Sequence, residues 1–390
     1  MNKMNFDYYI PTKLFFGKGQ INKLGEITLP GKKALIVISS GTAMKKYGYL
    51  KRVQNLISNN GSEFVVFDKI QPNPTLTSIR EGSMLARKES CDYIIGLGGG
   101  SSIDASKSIA VMANNPGDYW DYISGGSGKG LTVPNDPLPV IAITTTAGTG
   151  TEADPWTVVT KEDTNEKIGF GYEKTFPFIS IVDPDLMMSV PPQLTAYQGF
   201  DAFFHAAEGY IANIATEVSD MYALKSIELI GRSLVKAVKD GSDEKARADI
   251  ALANTLSGFV ESTSSCVSQH SLEHALSAYH SELAHGAGLI LLSEAFFTFF
   301  MEYRPEKYIN MARALGNRNA DTPEDFIKEL ILLQEACGVR NMKMSDFGID
   351  GNNLEKYAKN AFDTMAGLFD FDPVMLTTED AVSILKRAYR

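Results

Sequence analysis

Four of the chain's five histidines fall in one sixteen-residue stretch, His270-Ser-Leu-Glu-His274-Ala-Leu-Ser-Ala-Tyr-His280-Ser-Glu-Leu-Ala-His285. The fifth, His205, follows Asp201 by four positions in Gly199-Phe-Asp201-Ala-Phe-Phe-His205-Ala-Ala-Glu208. Apolar residues recur at three- and four-residue steps through both segments and no proline interrupts them, which predicts helix. Residues at i and i+4 share a helix face, so Asp201 points with His205, and His270 with His274. Neutral imidazoles together with one carboxylate form a donor set for a divalent transition metal. A lone half-buried histidine is ordinary; five gathered into two helical clusters weigh toward a metal site.

Holding such donors calls for packed helices, and the second half of the chain provides them. From Gln193 onward helical periodicity dominates, over 193–214, 217–239, 243–264, 270–279, 285–302, 322–337 and 377–388, the last with Thr377 as its N-cap. The first half has another grammar. Short β-rich runs at 33–38, 63–67, 92–97, 138–143 and 178–182 alternate with helices over 45–59, over 75–89 and from Ser102. Continuous apolar strands alternating with helices imply a parallel sheet covered on both faces. Pro191-Pro192 punctuates the change. The expected organisation is an α/β nucleotide-binding domain over residues 1–190 and an all-helical metal-binding domain over 191–390.

Two polar loops at strand ends suit a nucleotide. Gly98-Gly99-Gly100-Ser101-Ser102-Ile103-Asp104-Ala105-Ser106-Lys107 joins the strand at 92–97 to its helix. Glycines admit close approach of a ligand to the backbone, and the helix start offers N–H groups and a positive dipole end to a pyrophosphate. A tight structural turn explains the same glycines about as well taken alone. Thr144-Thr145-Thr146-Ala-Gly-Thr149-Gly-Thr-Glu152 follows the next strand and adds donors at the same sheet edge, where parallel sheets bind ligands. The loop Ser124-Gly-Gly-Ser-Gly-Lys-Gly130 has flexible composition, and Gly130 stands where a Walker loop requires Ser or Thr.

Composition narrows the partners. The net charge of −10 argues against nucleic acid and anionic membranes. Hydrophobic content of 44% and charged content of 22% are those of a soluble globular protein. The run from Ala284 to Tyr303 is apolar but carries His285, Ser293, Glu294 and Glu302, which fits a buried helix better than a membrane span. Cys91, Cys266 and Cys337 are scattered and odd in number, as expected of reduced packing thiols. No apolar signal segment is visible near Met1, and a cytoplasmic location is expected.

With these segments in place the sequence resembles the iron-containing (group III) alcohol dehydrogenase family, in its butanol and 1,3-propanediol dehydrogenase branch. The resemblance runs through Pro11-Thr-Lys-Leu-Phe-Phe-Gly17-Lys-Gly19, Pro72-Asn73-Pro74-Thr75, Gly98 to Lys107, Thr145 to Thr149, Asp183-Pro-Asp-Leu186, Gly199 to Glu208, and His270 to Gly286, in that order. It implies a dehydroquinate synthase-like architecture and a hydride moved between NAD(P)(H) and a small primary alcohol, diol or aldehyde. Carried over by position, the metal ligands are Asp201, His205, His270 and His285, with Fe2+ as the usual ion and Zn2+ as the alternative. His274 matches an active-site histidine near substrate and nicotinamide. Gly98, Gly99, Gly100, Ser101, Ser102 and Asp104 fall in the cofactor loop, and Asn73, Thr145, Thr146, Thr149, Lys167 and Leu186 match further cofactor positions. The interval from His274 to His285 is one residue longer than the family's and contains His280, a substitute for His285, although Gly286-Ala-Gly288 suits His285 better. A homodimer or larger assembly is a family-level expectation.

The strand at 33–38 runs into Ser39, Ser40, Gly41 and Thr42, with Lys45 and Lys46 behind them. Small hydroxyl residues where NAD-preferring relatives place an acid favour NADP(H) over NAD(H). Trp156 is expected to narrow a pocket for small substrates, with a core position nearly as well supported. Two other readings compete. His270-Ser-Leu-Glu273-His274 spells the H-x-x-E-H signature of a zinc peptidase, which leaves the polar loops and the Asp201/His205 pair unused. Zinc-dependent glycerol dehydrogenase shares the two-domain plan, but the Asp201-x-x-x-His205 pair and the His270/His274 spacing favour the alcohol branch.

Overall fold

A computed structural model describes residues 5–390. The chain forms two compact units. One comprises Ile10–Thr146 and Thr151–Ser189; the other comprises Ala147–Gly150, Val190–Arg390 and the described residues up to Tyr9.

The first unit is built from β1 (Lys13–Phe16), β2 (Lys33–Ser39), α1 (Ala43–Lys46), α2 (Tyr49–Asn59), β3 (Glu63–Ile70), α3 (Leu76–Lys88), β4 (Tyr93–Gly98), α4 (Gly100–Asn114), α5 (Tyr119–Tyr122), β5 (Val140–Thr144), β6 (Thr157–Lys161), β7 (Glu166–Phe170) and β8 (Ile179–Val182). Six strands make a wholly parallel sheet in the order β1-β8-β5-β4-β2-β3. Ile36, Ile38, Ile95, Leu97, Ile141, Ile143 and Ile181 are buried against Ile21, Leu24, Val53 and Ile57 on one side of the sheet. The expected strands at 33–38, 63–67, 92–97, 138–143 and 178–182 are present as β2, β3, β4, β5 and β8.

The differences have local causes. The helix expected over 45–59 is broken into α1 and α2 by Gly48, at φ 76°. β1 is four residues long and gains its character from pairing with β8 at the sheet edge. The antiparallel hairpin of β6 and β7 turns through Asn165 at φ 51° and lay outside the strand pattern. The glycine-rich loop at 124–130, expected to be flexible, is tied to that hairpin: Ser127 donates through its backbone N–H (3.0 Å) and its hydroxyl (2.7 Å) to Glu166.

The second unit carries α6 (Pro192–Ile211), α7 (Glu217–Lys239), α8 (Glu244–Thr263), α9 (Ser268–Tyr279), α10 (His285–Phe300), α11 (Pro305–Leu315), α12 (Glu324–Ala336), α13 (Leu354–Met365) and α14 (Thr378–Ala388). α11 and α13 escaped the sequence pattern. In α13 the buried stripe Leu354, Tyr357, Ala358, Ala361 has helical spacing, but alanines hold half of it. α10 with the following turn is apolar and long enough to cross a membrane by length and composition. Here Leu289, Leu292, Phe296, Phe297 and Phe300 are fully buried within the helical unit. Phe203 and Phe204 of α6, Phe297 of α10, Tyr308 of α11 and Phe326 of α12 form one aromatic cluster with centroids 5.2–6.1 Å apart. Such edge and offset contacts fix helix spacing beyond what area burial does.

In the α/β unit, Lys107 of α4 is buried. Its ammonium donates to Thr151 Oγ1 (2.7 Å), to the carbonyls of Asp154 and Trp156 (both 2.8 Å) and to Asp154 Oδ1 (3.3 Å). Asp104, one turn earlier, accepts from the Thr151 hydroxyl (2.7 Å) and from Val158 N–H (2.9 Å). Burial pushes both carboxyls up, Asp104 to about 6. Lys107→Met would leave the two acids without their cation, and breaking a buried pair from one side costs about 3–5 kcal/mol. Denaturant unfolding of the variant should show a loss of that order.

Candidate functional site

α6 contributes Asp201 and His205 from one face while its Phe200, Phe203 and Phe204 fill the core. α9 contributes His270, and α10 opens on His285. Asp201 Oδ1 lies 3.6 Å from His205 Nδ1, 4.0 Å from His270 Nε2 and 3.4 Å from His285 Nε2. One donor atom from each of the four lies within 4.8 Å of the others. Tetrahedral ligands at ~2.1 Å from an ion stand ~3.4 Å apart, so the spacing suits a single first-row cation. The rings of His205 and His270 stack at 4.4 Å.

Carboxylates and a carbonyl turn these rings. Glu208, a turn beyond His205, accepts from His270 Nδ1 (2.6 Å) and from Val267 N–H (2.8 Å). Glu273 meets His285 Nδ1. His205 Nδ1 lies 3.2 Å from the Gly148 carbonyl, and its Nε2 lies 3.7 Å from Glu261 Oε1. A side chain at position 148 would come within 2.9 Å of Asp201 Oδ2 and 3.0 Å of Gln198 Cα, so glycine lets this loop reach α6. Burial, helped by His270 and His285, holds His205 well below the usual imidazole range. The neutral ring is the form that ligates. Burial also pushes Glu208 well above the carboxylate range, opposed by the Val267 and His270 donors.

His274 stands beside this set rather than in it. Its ring is 5.3 Å from that of His285, and its Nδ1 faces Met365 Sδ at 2.8 Å. His280 closes α9, with Nε2 2.8 Å from the Tyr357 hydroxyl; it is outside the four-donor group and does not replace His285. The peptidase arrangement is absent as well. Glu273 is engaged by His285, and His274 lies outside the group of Asp201, His205, His270 and His285.

In the α/β unit the structure brings the two polar loops together. Thr145 N–H donates to the Gly98 carbonyl (2.9 Å), and a Cβ on Gly99 would sit 2.9 Å from Thr146 Cγ2. Gly98 has φ 153°, where a side chain would also press on Ser102. α4 starts with Gly99 as N-cap and no side-chain cap, followed by Gly100 and Ser101, so its first turn can address an anion. Asn73, at φ 55°, precedes Pro74, whose carbonyl accepts Thr160 N–H (2.9 Å) from the hairpin that carries buried Lys167. Ser39 is half-buried and Ser40, Gly41 and Thr42 are exposed. Other assignments shift. Thr149 belongs with the helical unit, apart from Thr145 and Thr146. The Leu186 side chain is buried in the sheet core, so it packs rather than faces a ligand. The Asp104 carboxylate braces Thr151 and Val158. Trp156 is 41% exposed, which removes the core alternative.

The sequence reading gives no role to Glu208, Gly148 or Asp372, and gives Glu273 one only within the competing peptidase signature. Glu208 and Glu273 were detectable, since each lies three residues after a histidine of the cluster on the same helix face. Gly148 and Asp372 are brought in by tertiary structure alone. Asp372 accepts Ser268 N–H (3.1 Å) and the Ser268 hydroxyl (2.9 Å), and so caps the helix that carries His270. Burial pushes its carboxyl up to about 8. A carboxyl raised on folding contributes stability below ~pH 4 that is lost as pH rises through its folded value. Asp372→Asn keeps the acceptor and drops that dependence. Its unfolding free energy should therefore gain on wild type steadily from pH 5 to pH 8, as read by denaturant titration.

Comparison with known proteins places these features. The family model described as iron-containing alcohol dehydrogenase matches residues 11–184, and that of the Fe-containing alcohol dehydrogenase family, C-terminal, matches 195–389. The chain is 35% identical over 357 residues to 1,3-propanediol dehydrogenase of Klebsiella pneumoniae, covering 90% of each chain. It is 32% identical over 390 residues to NAD-dependent methanol dehydrogenase of Bacillus methanolicus, covering 98% of this chain and 99% of that one. The crystal structure of an archaeal halo-thermophilic alcohol dehydrogenase from a Red Sea brine pool, bound to NZQ, superposes with a TM-score of 0.95 at 32% identity and full coverage of both chains. An α/β unit with an uncapped glycine loop and a helical unit that gathers one aspartate with three histidines are thus the two halves of a member of the iron-containing alcohol dehydrogenase family.

Proposed function

We propose that the chain interconverts small primary alcohols or diols and their aldehydes, with Asp201, His205, His270 and His285 holding Fe2+ or, as the alternative, Zn2+. The observation that carries this is the convergence of one carboxylate and three imidazoles on a common centre. When bound, the ion polarises the alcohol or carbonyl oxygen and the nicotinamide accepts or returns the hydride. The chain's own residues do the rest. Asp201 brings the only carboxylate of the donor set, and Glu208 keeps the His270 imidazole oriented. His274, beside His270 and His285, orients the substrate and relays the hydroxyl proton. The Gly98–Ser102 turn and the first turn of α4 seat the pyrophosphate through backbone N–H groups. Trp156 lines the substrate pocket.

NADP(H) is the favoured dinucleotide on the grounds that no acid stands in Ser39 to Thr42 to repel a 2′-phosphate. Lys45 is paired with Asp68 at 2.5 Å, and Lys46 lies over the Tyr47 ring, so Lys46 is the cation of the two without a carboxylate partner among the ion pairs of the described residues. The reading also takes the enzyme as cytoplasmic and as a homodimer or larger, which size-exclusion chromatography with light scattering would check.

Two experiments test the reading. Protein reconstituted with ferrous or zinc salt should hold about one ion per chain. Asp201→Ala and His205→Ala should lose the ion and more than about a hundredfold in kcat/KM, the upper figure for disturbing an outer-shell partner. Intact turnover in either variant overturns the site. With NADPH and NADH compared on butanal and 3-hydroxypropanal, kcat/KM should favour NADPH, and Asp68→Asn should widen the ratio by releasing Lys45. A ratio that favours NADH overturns the cofactor assignment.

A further inference from the structure

The H-x-x-E-H segment contains one ionisable residue that the reaction above does not use, Glu273. It is fully buried on α9, one turn from His270, and its Oε2 meets Nδ1 of His285 on α10. His285 is the donor least enclosed by the fold. Its side chain is 21% exposed, against 4–6% for the other three, and it stands at the first position of its helix, whose N-terminus no side chain caps. Its ring touches those of His270 and His274 at 5.2 and 5.3 Å but is less enclosed than the other donors, so a bond has more of its orientation to set. The fold makes room for that bond. Gly288, one turn into α10, faces Glu273, and a Cβ there would lie 2.7 Å from Glu273 Cγ and 2.8 Å from its Oε1.

We infer that Glu273 is the positioning residue of the metal centre, a clamp from α9 that aims His285 at Asp201 and governs how long the ion stays. The inference rests on the metal-centre reading above. It reassigns the glutamate of H-x-x-E-H: it orients an imidazole through that ring's outer nitrogen and does not activate water. Outer partners of this kind fix the tautomer and raise ligand basicity, and their loss typically costs 10–100-fold in metal affinity or activity. The Glu208–His270 pair is the same device on a donor that packing already encloses. Its removal should therefore matter less than that of Glu273.

The test uses the full-length chain loaded with Zn2+, with metal release followed into excess chromogenic chelator, and a parallel Co2+ form for its visible spectrum. Glu273→Gln keeps the size and removes the charge; it should release zinc about 10–100-fold faster and shift the cobalt bands. Gly288→Ala keeps the charge and displaces the carboxylate; it should speed release in the same direction. The thermal midpoints of the metal-free proteins should stay within a few degrees of wild type. Release at the wild-type rate in both variants, with unchanged cobalt bands, overturns the inference. So does a fall in the metal-free midpoint large enough to account for the faster release, since that marks a merely structural role. Should Glu273→Gln fail to fold, Gly288→Ala alone decides. Asp201→Ala separates the two readings. If wild type retains no zinc, or Asp201→Ala retains it, the metal centre itself is wrong. If those controls behave and both clamp variants match wild type, only the role of Glu273 falls.

Discussion

The helical unit is organised around the burial of one aspartate among three imidazoles. A carboxylate taken out of water is costly unless hydrogen bonds or a cation replace its hydration. Asp201 is 4% exposed, and the groups ranged around its Oδ1 are imidazole nitrogens. Charging those rings would ease the aspartate, but burial keeps His205 neutral. The polar interior is thus arranged for a positive charge supplied from outside the chain. The same arrangement explains why acids rather than apolar residues back the rings. A ring that turns a lone pair inward must donate through its other nitrogen, and Glu208 and Glu273 stand at those nitrogens of His270 and His285.

Geometry at that scale needs a stiff frame, and the aromatic cluster provides it. Phe203 and Phe204 share α6 with Asp201 and His205; Phe297 shares α10 with His285. Stacking Phe204 on Phe297 at 6.0 Å links the two helices that present three of the four donors. α9 stands outside that cluster; its own aromatic, Tyr279, packs on Tyr357 of α13, and Leu272, Ala275 and Leu276 are fully buried. Its start is held by carboxylates, Glu208 on Val267 and Asp372 on Ser268. The aromatic cluster sets two helices, while apolar burial and polar capping together set the third, so an apolar truncation in the core and the loss of a buried acid should reach the site by different routes.

Much of this was legible in the sequence because periodicity reports burial. Five of the six strands of the parallel sheet show as apolar runs, and the i, i+4 pairs on α6 and α9 follow from helix geometry alone. What was not legible depends on partners distant in the chain. β1 is a strand because β8 lies beside it, and α13 hides its stripe behind alanines. The loop at 124–130 has a flexible composition yet is ordered by Glu166, thirty-nine residues from Ser127. Leu186 matches a cofactor position by motif, but its side chain belongs to the sheet core, where an apolar residue gains more by burial. The Gly286-Ala-Gly288 context already favours His285 over His280, and the structure shows Tyr357 meeting His280 outside the four-donor group.

The donor set counted alone, one carboxylate and three neutral rings, would leave a divalent ion near a net charge of +1. The structure adds buried carboxyls behind two of those rings, and burial raises that of Glu208 well above its ordinary range. The rise comes from enclosure, with the Val267 and His270 donors opposing it. Glu208 is enclosed because α6 is buried along nearly its whole length. The helix that presents Asp201 and His205 to the centre is thus also the one whose burial encloses the acid behind His270.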